Sequence, residues 1–176
     1  MVHALLEVVG LLEGLGINYC LIGGYAVAVH GVPRHTVDLD LMVELSDEQL
    51  VRLREELQRR NIRYGYSRSS VGDPVGDVLS LELELPVQLI RAKWKYESCA
   101  IASAVEIAYH GARVKVATAE HLIILKLRAG GPLDLYDVEN ILATKATSLD
   151  LDRLEALARR YGVWRKLAAL FRERRR

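Results

Sequence analysis

The 176 residues are 51% hydrophobic and 27% charged, with a formal net charge of +1. That balance describes a folded chain with one core, or one core and a small appendage, and no excess of charge that would by itself name a partner. Two cysteines exclude a disulfide framework, and no apolar run reaches the roughly 18 residues of a membrane span.

Cys20 and Cys99 lie in apolar surroundings and read as buried small hydrophobes. Met1 to Leu15 contains Glu7 and Glu13 and lacks a basic leader, so it does not read as a signal peptide, and the expected location is cytoplasmic. Arginine supplies 18 of the 24 basic residues, a choice that suits phosphate and carboxylate recognition.

Ala4, Leu5, Val8, Leu11, Leu12 and Leu15 repeat at helical spacing until Gly14 and Gly16 stop the helix. An apolar run, Ile17 to Ile22, then enters Gly23-Gly24, and a short small-residue helix from Tyr25 to His30 ends at Gly31. Beyond Pro33, Val37 to Val43 alternates as a strand does, so Asp38 and Asp40 share one face while Val37, Leu39 and Leu41 share the other. Ser46 caps a helix running to about Arg60, with Leu50, Leu53 and Leu57 as its inner face. Ile62 to Tyr66 reads as a strand, and Ser67 to Gly76 as a loop.

Val78 to Leu85 alternates leucine with polar residues, and Val87 to Ala92 resumes after Pro86. A tight hairpin centred on Pro86 would set Glu84 across from Gln88. Val105 to Tyr109 and Ala112 to Ala117 make a second hairpin around Gly111. Thr118 caps a helix that Gly130-Gly131-Pro132 breaks, and three more helices follow over 133–143, 151–160 and 164–174. The order implies an α+β fold, a mixed sheet packed on helices followed by a helical half. The expected division is a core over 1–117 and a helical region over 118–176.

Two carboxylates on one strand face repel each other, and a divalent cation is the commonest reason to keep them there. The glycine pair upstream lets backbone N–H groups approach an anion, with a helix start turned toward it. Gly-Gly, short helix, Asp-x-Asp is therefore a phosphate-plus-metal arrangement. Gly23, Gly24, Gly31, Arg34, Thr36, Asp38 and Asp40 together resemble the signature of the DNA polymerase beta-type nucleotidyltransferase superfamily. Within it the chain is most similar to small prokaryotic nucleotidyltransferase-like proteins, including toxins of abortive-infection-type toxin–antitoxin pairs.

The resemblance implies Mg2+ on Asp38 and Asp40, NTP phosphates cradled by Gly23 and Gly24, and Arg34 and Thr36 at the same pocket. It implies transfer of a nucleoside monophosphate to a hydroxyl of RNA, protein or a small molecule, with a cognate antitoxin as partner. The family's third carboxylate falls at Gln88, which can neither act as a base nor bring charge to a metal. Glu84 is the candidate to replace it, and Glu82 a poorer one. The alternative is a catalytically degenerate member that binds nucleotide or a partner.

A second, weaker resemblance covers Lys126 followed by Asp134 and Asp137. Lys126 reads either as a phosphate contact or as the partner of those aspartates between two helices. The histidines lack zinc-ligand spacing and read as surface or loop residues. Trp94, Tyr96, Tyr161 and Trp164 read as packing residues, and the Arg172 to Arg176 end as solvated.

Overall fold

Leucine and valine at helical spacing fold Val2–Gly14 into α1, and Gly16, at φ 64°, turns the chain into β1, Asn18–Leu21. The computed structural model describes residues 2–70 and 76–173. The glycine pair opens α2 (Gly23–Val29), and β2 (Leu39–Glu44) follows. Ser46 caps α3 (Asp47–Arg59): its Oγ accepts from Gln49 N–H at 3.1 Å, and Gln49 Oε1 accepts from Ser46 N–H at 3.1 Å. A cap of this kind contributes about 1 kcal/mol.

Three strands come next, β3 (Arg63–Ser67), β4 (Val78–Glu82) and β5 (Pro86–Arg91), then α4 (Lys95–Ala102). The hairpin of β6 (Val105–Tyr109) and β7 (Ala112–Val116) leads to Thr118 and α5 (Ala119–Ala129). Gly130 ends α5 at φ 71°, and Pro132 opens α6 (Pro132–Thr144). The chain closes with α7 (Leu151–Arg160) and α8 (Trp164–Glu173).

The strands form one sheet of seven in the order β3-β4-β5-β2-β1-β7-β6. β2 runs parallel to β5 and β1 parallel to β7, while the other neighbours are antiparallel. The mixed α+β architecture is thus the one its residue pattern implies. Leu39, Leu41, Val43, Leu79, Leu81, Val87 and Leu89 share one sheet face, each at most 1% exposed. Burying a side chain of this size contributes roughly 1.5–3 kcal/mol. Leu122, Ile123, Ile124 and Leu127 of α5 join the same continuous core, so the helices are packed into the sheet rather than beside it.

Several local expectations fail. The strand from Val78 stops at Glu82, and the bend spans Leu83 to Leu85. The hairpin pairs Glu82 with Pro86 and Ser80 with Gln88, so Glu84 sits at the exposed tip and not across from Gln88. Pro86 explains this: without an N–H it opens a strand more readily than it continues one, while Leu83 and Leu85 pack on the core beside the tip. Val37 and Asp38 precede β2, and Val37 is 72% exposed rather than inward-facing.

Lys95–Ala102 is a helix that the alternation around it conceals. Its start is satisfied by one carboxylate: Glu97 Oε2 accepts from Lys93 N–H at 2.6 Å and Trp94 N–H at 2.8 Å. His121 is not a surface residue but 2% exposed. The loop expected over 67–76 is described only in part, with Ser69 N–H and Oγ donating to Asp77 Oδ1 at 2.8 and 3.1 Å. Of the arginine-rich end, 174–176 lie outside the described residues.

Candidate active site

Beyond the antiparallel β1–β2 ladder, Ile22 N–H donates to Asp40 C=O at 2.9 Å, which holds the glycine pair against the Asp40 side chain. Gly23 takes φ 63°, and a Cβ there would collide with the Asp40 carboxylate. At Gly24 a Cβ would stand 2.7 Å from Thr36 Cβ and 3.0 Å from Arg34 Nη1. Only glycine allows this approach of backbone to carboxylate, threonine and guanidinium. Thr36 Oγ1 then donates to Asp38 Oδ1 at 2.8 Å and fixes the first carboxylate of the pair.

Asp40 feels the cost of this crowding. Burial, followed by the Asp38 charge, pushes its carboxyl up to about 6, against the opposing pull of Lys126 and Arg34. The two cations are themselves held by α6. Asp137 is fully buried, and its Oδ2 lies 2.7 Å from Lys126 Nζ and 3.1 Å from Arg34 Nη1. Asp134 Oδ1 takes a further bond from Lys126 Nζ at 3.1 Å. Lys126 therefore links α5 to α6 as the second sequence reading has it. It also lines the same cavity as Asp40 and Gly23, within reach of a ligand there. Asp137 Oδ1 is buried without a hydrogen-bond partner among the described residues.

That cavity measures about 350 Å³. Gly23, Asp40, Lys126 and Asp134 form its polar end, and Met42, Ile90, Leu122 and Leu125 its apolar walls, with Tyr96, Glu97 and Arg128 beside them. Tyr96 and Glu97 come from α4, so the helix absent from the sequence reading builds part of the pocket.

Gln88 stands beside Asp40 in the parallel β2–β5 register, on the same face. Its Oε1 accepts from Ser80 Oγ at 2.7 Å. Ser80 thus occupies the cross-strand position expected for Glu84, and Glu82 is turned away into an exposed ion pair with Arg63 at 2.9 Å. Asp38, Asp40, Gly23, Gly24, Arg34, Thr36 and Lys126 converge; Glu84 does not join them.

The described residues contain no group of three or more His, Cys, Asp or Glu side chains arranged to hold a metal ion. What they offer a cation is the Asp38–Asp40 pair. The two carboxylates, near enough for the Asp38 charge to act on Asp40, are a donor set that fits a divalent ion, whose shell phosphate and water oxygens would complete. His121 belongs elsewhere: its Nδ1 is 2.9 Å from Thr118 Oγ1 and its Nε2 is 3.5 Å from Cys99 Sγ, and burial lowers its pKa.

The sequence model of the family "Nucleotidyl transferase AbiEii toxin, Type IV TA system" matches residues 10–176. The chain belongs to the AbiEii family. This agrees with the resemblance carried by the glycine pair and Asp-x-Asp, and makes nucleotidyl transfer within a toxin–antitoxin system the family setting of the site.

Solved structures place the AbiEii chain in the nucleotidyltransferase fold. The solution structure of the antibiotic-resistance factor ANT(2'')-Ia matches with a TM-score of 0.59 at 17% identity, covering 99% of this chain and 96% of that one. An antigenic nucleotidyltransferase-like protein from Paracoccidioides brasiliensis matches at 0.53 and 17%, over 97% and 91% of the two chains. The lincomycin-bound lincosamide adenylyltransferase LnuA matches at 0.52 and 15%, over 80% and 95%. Likeness at these identities shows the shared fold alone. No match was found among curated protein sequences. Among the described residues of this AbiEii chain, no helix is long and apolar enough to cross a membrane.

Proposed function

We propose that this AbiEii-family chain transfers a nucleoside monophosphate from an NTP to a hydroxyl of an acceptor, as the toxin of a pair with a cognate antitoxin. The observation that carries the reading is the convergence of Gly23, Asp40 and Lys126 on one end of a cavity of about 350 Å³. Nucleotidyltransferases of this fold generally use a divalent metal. Here Asp38 and Asp40 are the residues that would hold Mg2+, which would supply neutralising charge to the phosphates and polarise the attacking hydroxyl.

The chain's own groups do the rest. Gly23 and Gly24 let Asp40, Thr36 and Arg34 close on their backbone, which would meet the triphosphate at the start of α2, with Thr36 keeping Asp38 oriented. Lys126 and Arg34 face the phosphates as charge partners, steadied by Asp137. The apolar walls, Met42, Ile90, Leu122 and Leu125, exclude water from the nucleoside. The acceptor oxygen bonds to the α-phosphorus as the bond to the bridging β-phosphate oxygen breaks, and pyrophosphate leaves. The hydroxyl proton leaves to solvent water as the new oxygen–phosphorus bond forms. Gln88 has no part in that step.

A second reading has one observation behind it. With Gln88 beside Asp40 and two aspartates already on Lys126, the chain could bind nucleotide or a partner without turnover. Incubating the protein with each α-labelled NTP, Mg2+ and total cellular RNA or protein separates the two. Label transfer that Asp38→Ala/Asp40→Ala abolishes supports the transferase. Tight NTP binding with no transfer and no pyrophosphate release supports the binding protein.

A further inference from the structure

The paired strands β1 and β2 meet a cavity at each end. Gly23 and Asp40 lie at the first, where the transferase reading seats the NTP. Asn18 and Glu44, register partners at the opposite end of the same two strands, line the second. It measures about 210 Å³ and shares no lining residue with the first.

A split in the sheet makes room for it. β1 and β7 pair at one register position, Leu21 with Val116, and Ala117 N–H reaches Leu21 C=O at 3.0 Å. Two residues earlier the ladder gives way to a side chain: Lys115 N–H donates to the Tyr19 hydroxyl at 3.4 Å. That hydroxyl donates in turn to Glu13 Oε1 at 3.3 Å, which pins the buried ring in the split. Ile101, Ala102 and Ala104, where α4 ends and the chain turns into β6, close the cavity with apolar surface.

Its two charges are opposite in sign and do not close on each other. Lys115 Nζ lies 5.8 Å from the centroid of the Tyr19 ring and has no carboxylate partner among the described residues. Glu106 stands across from it on β6 but gives its Oε2 to Arg113 at 3.2 Å. Glu44 Oε2 accepts from Asn18 Nδ2 at 3.2 Å, and among the described residues no cation pairs with it. Both Lys115 and Glu44 are half-buried, where salt screens them less than on an open surface. A cation and an anion lining one cavity fit a molecule that carries both charges. Phosphate would meet Glu44 as a like charge, and a polyamine would meet Lys115 as one. The volume lies below the roughly 300 Å³ at which pockets for drug-sized ligands begin, so the ligand is small.

We propose that this cavity binds a free α-amino acid, with its carboxylate on Lys115, its ammonium on Glu44 and the Asn18 side-chain carbonyl, and an aliphatic side chain against Ile101, Ala102 and Ala104. The site stands apart from the transferase reading, and its test involves no NTP.

Equilibrium dialysis of the full chain with radiolabelled L-leucine tests it. Leucine is expected to bind, and two competitors to be about tenfold weaker or more: N-acetyl-L-leucine, which lacks the ammonium, and L-leucinamide, which lacks the carboxylate. Lys115→Met keeps the stem and removes the charge, so it is expected to weaken leucine about tenfold and erase its advantage over leucinamide. Glu44→Gln is expected to erase the advantage over N-acetyl-leucine. Arg113→Met removes an exposed charge from the same strand outside the cavity, and changes leucine binding less than about twofold.

No leucine bound at millimolar concentration, equal competition by the three compounds, or unchanged affinity in Lys115→Met and Glu44→Gln overturns the proposal. So does an equal loss in Lys115→Met and Arg113→Met. If the variants do not fold, the ranking of the three compounds on the wild-type chain decides.

Discussion

Asp40 concentrates the electrostatic tension of the molecule in one side chain. Its carboxyl is held up at about 6 by burial and by Asp38, so the native state keeps a proton there that the unfolded chain releases near 3.8. The stabilising contribution of this group is complete below about 3.8 and is lost as pH rises through about 6. Asp40→Asn should therefore melt higher than wild type at pH 8 and at the same temperature at pH 3.5, and a lower melting point at pH 8 would contradict the assignment. Magnesium competes with that same proton, so its effect should fade as pH falls below about 6. Asp-x-Asp and the glycine pair were legible as one motif, although only Asp40 of the two carboxylates lies on β2, and the glycines are required because a Cβ would meet Asp40 at Gly23 and Thr36 at Gly24. Arg34 and Asp137, 103 residues apart, were recognisable separately but not as a pair, since nothing local connects a loop arginine to a buried aspartate on α6.

The junction of α5 and α6 shows what an element contributes. Lys126 comes from α5, Asp134 and Asp137 from α6, and Gly130 bends one helix into the other at φ 71°. Removing the fully buried Asp137 would leave both Lys126 and Arg34 without it in a low-dielectric setting. Asp137→Ala should cost about 3 kcal/mol, read as a shift in the urea midpoint, and a cost below about 1 kcal/mol would mean the cluster is not structurally coupled. The same scale explains what the sequence concealed. Leucine alternation from Leu79 runs on through Leu83 and Leu85, so it cannot mark that β4 ends at Glu82 and that Glu84 belongs to the bend. α4 has Ala100 and Ile101 as buried residues and no broad apolar stripe; its clearest signal is Glu97, set to bond two backbone N–H groups at its start.

At the scale of the whole molecule, the sheet and the helices after Thr118 share one core through Leu122, Ile123, Ile124 and Leu127. We expect a single calorimetric unfolding transition with equal van't Hoff and calorimetric enthalpies, whereas two resolved transitions would separate 1–117 from 118–176. That shared core is what brings Lys126 to the same cavity as Gly23 and Asp40, and so makes one site from two distant stretches of chain. The most direct test of that site is thermal melting with each NTP, with and without Mg2+, on wild type and Asp38→Ala/Asp40→Ala. Ligands that bind only the native state raise the midpoint by mass action. The account predicts a Mg2+-dependent rise for wild type with at least one NTP and none for the double variant. Equal rises in both proteins, or no rise with any NTP at millimolar concentration, would contradict it.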